Sequence, residues 1–378
     1  MIMLKISHPN ISEKAIEAVA RVLRSGQLVH GEECEAFELE IANYLDCKDA
    51  ILVSSGTAAL HVALLALNLG PGDAVIVPDF TFPATANAVA MTGAEVIIVD
   101  VLPENYTIDT VHLENIIQQW NRPETLRAII PVHEFGCMAN MSEIMRIAND
   151  HSLKVIEDAA CALGAQQQGR KAGTIGDIGC FSFHPRKTIT TGEGGAITTN
   201  NPVLAARMRR LRNHGIERIE GKIAFIEPAL NYRLTNFQAA LGRSQLPGLD
   251  GWISKRKKLA ELYVYSLKKL TENGHLKCPE LTTGHSWQTF MVVLSSFHDR
   301  DLVIQELKTR LIEANLGAQS LSTINSYNTL NSQQKTGSIL FKKGLALPLH
   351  EQLKDTDIKK ITQTLEDILI NKNSQAND

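Results

Sequence analysis

From residue 50 to residue 157 the chain keeps repeating one unit: a short run of branched apolar residues, a turn, then a helical pattern. Apolar runs at 50–53, 74–77, 95–99, 128–132 and 154–157 read as strands. The stretches 58–69, 85–92, 111–119 and 141–151 between them read as helices. Strands so short and apolar, each followed by a helix, predict an α/β fold, a mostly parallel central sheet with helices on both faces. Upstream, residues 12–26 predict a helix capped by Ser12 and stopped by Gly26, with Ile16, Val19, Val22 and Leu23 as its apolar stripe. Phe37, Ile41, Tyr44 and Leu45 mark a second helix.

Past Ala196 the pattern changes. Helices are predicted over 202–212 and 235–246, separated by a turn-rich stretch at 213–231, and a long helix over 252–270 bridges into a second region. That region has a strand at 289–294 and helices at 301–315 and 355–370. The expected organisation is a large domain over 1–249 and a smaller C-terminal α/β domain over 250–378, with a frayed polar tail from Asn371.

With 378 residues, 44% of them hydrophobic and 21% charged, the chain can bury a core of this size. A net charge of -3 gives no electrostatic reason to expect nucleic acid or an anionic membrane as partner. No apolar run reaches the roughly 20 residues of a membrane span, and residues 1–6 are too short for a signal peptide. The six cysteines are scattered without a CxxC pair or a Cys/His cluster, so neither zinc nor a disulfide framework is expected. A cytoplasmic enzyme fits these properties.

In an open α/β sheet, ligands collect at the carboxyl ends of the strands. The first strand leads into Ser54-Ser-Gly-Thr57 and a helix, which presents free N–H groups and a positive helix end suited to a phosphate. Thr57 would serve equally as a plain N-cap. Phe82, after the second strand, can stack on a flat ring or pack into the core. His133, after the fourth, reads as structural. Asp158 ends the fifth, where an unpaired charge is costly and calls for a cationic partner. The sixth supplies Ser182, His184 and Lys187, followed by Gly192-Glu-Gly-Gly195. A lysine there lies on a loop between strands with its amine partly desolvated, as a Schiff-base lysine requires. Alone it would read as an exposed hairpin lysine. Together, a phosphate cradle, a stacking ring, a carboxylate for a ring nitrogen and an amine match pyridoxal 5′-phosphate group for group.

The chain also resembles the nucleotide-sugar aminotransferases of the DegT/DnrJ group over nearly its whole length. The likeness is carried by Ser55-Gly-Thr-Ala-Ala-Leu60, Thr81-Phe82, Pro131-Val-His133, Glu157-Asp158, Ser182-Phe-His-Pro-Arg-Lys187 and Asn231-Tyr-Arg-Leu-Thr235. The resemblance implies a fold-type I architecture in which Lys187 attaches the cofactor and Asp158 pairs with its pyridine nitrogen. It places Phe82 on the ring, Gly56, Thr57 and Ser182 at the phosphate, and Cys161 near the ring's phenolic oxygen. Asn231 would reach the phosphate of the other subunit's cofactor, which implies a homodimer, and His30, His184 and Arg233 would stand on the substrate side. The implied reaction is a ping-pong transfer from an amino acid, L-glutamate, to a nucleotide-linked keto-sugar, in surface-glycan or other amino-sugar biosynthesis.

Three positions depart from the group's pattern. Cys161 stands where Gln or His is common, Glu134 where an apolar residue is common, and Ser320-Leu-Ser-Thr-Ile-Asn-Ser-Tyr327 where a His-Tyr pair is frequent on the acceptor side. Two rival readings follow. One is amination of a keto-cyclitol or other non-nucleotide ketone. The other is a ligand-sensing regulator, which needs a DNA-binding module that residues 1–12 leave no room for.

Overall fold

The computed structural model describes residues 3–327 and 335–371. Seven strands build the central sheet: β1 (Asp49–Val53), β2 (Asp73–Pro78), β3 (Glu95–Val99), β4 (Thr125–Ile129), β5 (Lys154–Asp158), β6 (Ile178–Ser182) and β7 (Gly195–Thr199). They lie side by side in the order β1-β7-β6-β5-β4-β2-β3. The run from β3 to β6 is parallel, while β7 is antiparallel to both its neighbours. Successive strand residues point to opposite faces, and here both faces are covered. Leu52, Ile76, Val99, Ile129 and Val155 pack under the helices Glu32–Leu45, Thr110–Gln118 and Met141–Asp150. Ile51, Val53, Val77, Ile98 and Ile156 pack under Gly56–Ala66, Ala84–Thr92 and Pro202–Arg212. That double burial is why the strands carry branched apolar residues almost without interruption.

A three-stranded antiparallel sheet of Leu276–Lys277, Phe290–Leu294 and Gly344–Leu347 has its own apolar cluster with the helices Leu249–Ser266, Arg300–Thr309 and Asp355–Asn371. A smaller cluster of Phe80, Tyr106, Phe135, Met291 and Leu340 joins this part to the carboxyl edge of the central sheet. Among the described residues, no helix is long and apolar enough to cross a membrane.

Several expectations need correction. The helix Glu13–Ser25 is capped by Ser12 and stopped at Gly26 with φ +71, but Ile16 and Leu23 of its stripe are exposed. Residues 213–231 are not only turns. They hold a hairpin, Ile216–Ile219 with Lys222–Phe225, whose Ile219, Ile223 and Phe225 are exposed. With no buried face, the hairpin shows no alternation to read. The helix expected over 301–315 stops at Thr309, because Leu4 comes in to pair beside Ile312 and bonds the Leu311 carbonyl. The helix Lys335–Lys343 and the strand Gly344–Leu347 were not anticipated. The polar tail beyond Asn371 lies outside the described residues.

Candidate active site

Strand β5 ends in two adjacent carboxylates, and its alternation sends them to opposite faces. Glu157 is fully buried and accepts hydrogen bonds from His133 Nε2 (2.8 Å), Gly173 N (2.8 Å), Ile175 N (2.6 Å) and Gly176 N (2.6 Å). His133 is equally buried, and its Nδ1 accepts from Ala139 N. It is structural, as its sequence context implied. Burial alone would raise the Glu157 pKa, but the His133 hydrogen bond, with the glycine N–H groups, holds it below the usual 4.5. A depressed carboxylate stabilises the fold fully above its unfolded pKa, and that contribution is lost as pH falls through the folded value. Glu157→Leu strands four donors in the core and should cost about 3–5 kcal/mol, read as a lower urea midpoint at neutral pH. The deficit should shrink toward acid pH.

Asp158 points the other way, into a cavity of about 400 Å³. Eight of the expected site residues line that cavity together: Gly56, Thr57, Phe82, Asp158, Cys161, Ser182, His184 and Lys187. Asp158 is only 5% exposed. It accepts Thr85 Oγ1 (2.8 Å) on one oxygen and Ala160 N (3.1 Å) on the other. Burial nonetheless raises its pKa, against the pull of those bonds and of Lys187. As an anion, a carboxyl so buried calls for a cationic partner. Lys187 follows a turn closed by its own N–H on the His184 carbonyl, and its amine donates to Cys161 Sγ at 2.9 Å. Burial lifts the Cys161 thiol, which keeps it a neutral acceptor for that amine, while Lys187 pulls the other way.

At the far end stands the start of helix Gly56–Ala66. Ser55, not Thr57, is the N-cap, its hydroxyl taking Ala58 N at 3.0 Å. Thr57 is therefore spared for a ligand. Gly56 and Thr57 are first-turn residues whose N–H groups have no carbonyl inside the helix, and Ser182 lies beside them. A Cβ on Gly56 would sit 2.8 Å from Ser182 Cβ. Phe82 is 64% exposed, which removes its core-packing alternative and leaves a ring edging the cavity. Burial lowers the His184 pKa from the usual 6.5, and its Nδ1 accepts Arg186 N.

His30, Asn231 and Arg233 do not line this cavity. His30 lies 3.5 Å from Glu38, which also pairs with Arg212, Asn231 is exposed, and Arg233 bonds Asn213. The stretch from Ser320 to Tyr327 is also off the wall. Ser320 Oγ and Ser322 N bond Asp79 at 2.7 Å each, and Tyr327 bonds Asn87. Residues 315–318 form the wall instead. Ile6, Ser7, Thr85 and Gln288 also reach the cavity. Of these only Thr85, three residues after Phe82, had a signal in the sequence.

The chain matches the family model described as the DegT/DnrJ/EryC1/StrS aminotransferase family over residues 9–366. It is 38% identical to the GDP-perosamine synthase of Caulobacter vibrioides over 337 residues, 88% of this chain and 89% of that one. It is 39% identical to the dTDP-3-amino-3,4,6-trideoxy-alpha-D-glucose transaminase of Streptomyces venezuelae over 290 residues, 76% and 74% of the two chains. Spr1654 of Streptococcus pneumoniae, solved in its PLP-form, superposes with a TM-score of 0.89 at 26% identity, covering 97% of this chain and 98% of that one.

Proposed function

The chain belongs to the DegT/DnrJ/EryC1/StrS aminotransferase family, and from that premise we propose that it transfers an amino group from L-glutamate to a keto-sugar carried on a nucleotide, with pyridoxal 5′-phosphate as cofactor. The observation that carries the reading is one cavity holding Lys187, Asp158 and the open helix start at Gly56 and Thr57. The cofactor, when bound, withdraws electrons from the carbon that loses or gains a proton.

The chain's own residues supply the rest. Gly56, Thr57 and Ser182 hold the phosphate through N–H groups and hydroxyls at a positive helix end. Asp158, kept in place by Thr85 and Ala160, holds a proton on the ring nitrogen. Phe82 covers one face of the ring. The Lys187 amine would attach the cofactor and serve as the base and acid that moves the substrate proton. Cys161 receives that amine in its resting position. His184 stands on the substrate side.

A second copy of the chain completes the site in this reading. Asn231, Arg233 and His30 lie off their own cavity, near exposed apolar residues such as Val29, Phe225 and Leu230 that a partner would cover. The six free thiols accord with work in the cytoplasm. The nucleotide sugar is favoured over a keto-cyclitol by the two named relatives, whose names carry GDP and dTDP; an amino-sugar product for a surface glycan follows from the same reading.

Incubation with glutamate and a panel of GDP-, dTDP- and UDP-linked keto-sugars, followed by mass spectrometry, tests this. An amino-sugar nucleotide with equimolar 2-oxoglutarate is the expected result. Amination of a free keto-cyclitol but of no nucleotide would replace the reading. Gly56→Ala should weaken cofactor binding roughly tenfold, ~1.4 kcal/mol, because the new Cβ displaces the helix start from Ser182. A fluorescence titration of the cofactor-free protein measures it.

A further inference from the structure

Glu134 is the one buried carboxyl in the cavity that the mechanism above leaves idle; Glu193, also on the wall, is exposed. Glu134 follows His133 at the end of the segment after β4 and is 5% exposed, on the same wall as Lys187, Asp158 and Cys161. The turn it opens is clamped. Phe135 and Gly136 have φ of +56 and +96, Gln288 N bonds the Phe135 carbonyl, and Ser286 N bonds the Gly136 carbonyl. A left-handed phenylalanine is costly and persists only where the surroundings hold it, while the glycine beside it adopts that φ freely. The turn therefore fixes where Glu134 points.

The two buried cavity carboxyls differ in their partners. Each oxygen of Asp158 accepts a hydrogen bond, whereas the Glu134 carboxyl takes none from the described residues. A pair of carboxyls in unlike surroundings divides into an anion and a proton carrier. We propose that Glu134 is the acid of the ketone half-reaction: its carboxyl protonates the ketone oxygen that leaves as water when nitrogen takes its place.

This rests on the transaminase reading. The ketone carbon exchanges its C=O bond for C=N, and the two hydrogens of the attacking amine end on the oxygen as water. Glu134 relays both. It gives a proton to the oxygen and regains one from the nitrogen at addition, and does so again at departure. It ends as it began, and this exchange oxidises and reduces nothing. Run in reverse, the same carboxylate takes a proton from the water that releases the keto acid. Lys187 is occupied at the carbon and Asp158 at the ring nitrogen. Burial pushes the Glu134 pKa up to about 8, with Lys187 opposing and Asp158 adding to the rise. The group thus carries its proton at neutral pH. The other ionisable groups on the wall are Cys161, His184, Arg186 and Glu193, and His133 next door is fully engaged with Glu157 and Ala139.

Two measurements on the full-length protein test this. Infrared difference spectra of the cofactor-free wild type should show a protonated carboxyl band that bleaches as pH passes about 8, and Glu134→Gln should lack it. In rapid-mixing experiments Glu134→Gln should slow the ketone half-reaction roughly 10²–10⁴-fold with a smaller change in KM. The alkaline fall of the wild-type rate should disappear in that variant, and Glu134→Asp should restore part of the rate. A working wild type whose Gln variant keeps both its rate and its alkaline fall would sink this inference alone. A wild type that aminates no ketone would sink it together with the transaminase reading.

Discussion

Lys187→Ala is expected to abolish turnover with glutamate and any keto acceptor. Losing a positioned acid–base group costs roughly 10²–10⁴ in rate, and here the same deletion removes the amine that attaches the cofactor. The fold should survive. Lys187 is half-buried, and among the described residues the only side-chain bond lost is the one to Cys161. Melting of the variant should therefore match the wild type while kcat falls below detection. Because the phosphate cradle and Asp158 are untouched, the variant should still bind pyridoxamine phosphate. Turnover within tenfold of the wild type would remove Lys187 from the reaction.

The second large effect is expected from Asp158→Asn. An opposite charge close to a titrating group shifts its pKa by about 1–3 units, so removing the carboxylate should cut the protonated fraction of the ring nitrogen tenfold to a thousandfold. The loss should appear in kcat for both half-reactions, since each needs the same electron withdrawal. It should leave Lys187 attached to the cofactor. Asparagine keeps an acceptor for only one of Thr85 and Ala160, whichever its amide oxygen faces, so a modest drop in melting temperature accompanies the loss. An Asn variant with wild-type kcat would separate Asp158 from the ring.

What could be read from the sequence follows burial. The strands from β1 to β6 were legible because both sheet faces are covered, which leaves nearly unbroken runs such as Glu95–Val99. The hairpin at 216–225 was not, since its apolar side chains face outward. In the site, Asp158 and Lys187 stood out because each ends an apolar run with a charge. Thr57 also read as a plain N-cap, and only the backbone geometry shows that Ser55 is the cap. Phe82 had two readings until its exposure separated them. The walls contributed by Ile6, Ser7 and residues 315–318 come from distant segments whose local pattern carries no sign of a ligand. Arg233 and Asn231 were legible only through resemblance, and both lie off the cavity of their own chain.

The central claim is that one amine, that of Lys187, carries the cofactor. Loading the protein with pyridoxal 5′-phosphate, fixing it with borohydride and mapping the tryptic peptides by mass spectrometry tests this directly. A single pyridoxyl group on Lys187, absent from Lys187→Ala, is the predicted result. A label spread over surface lysines, or one that sits on another residue and survives the substitution, would contradict it.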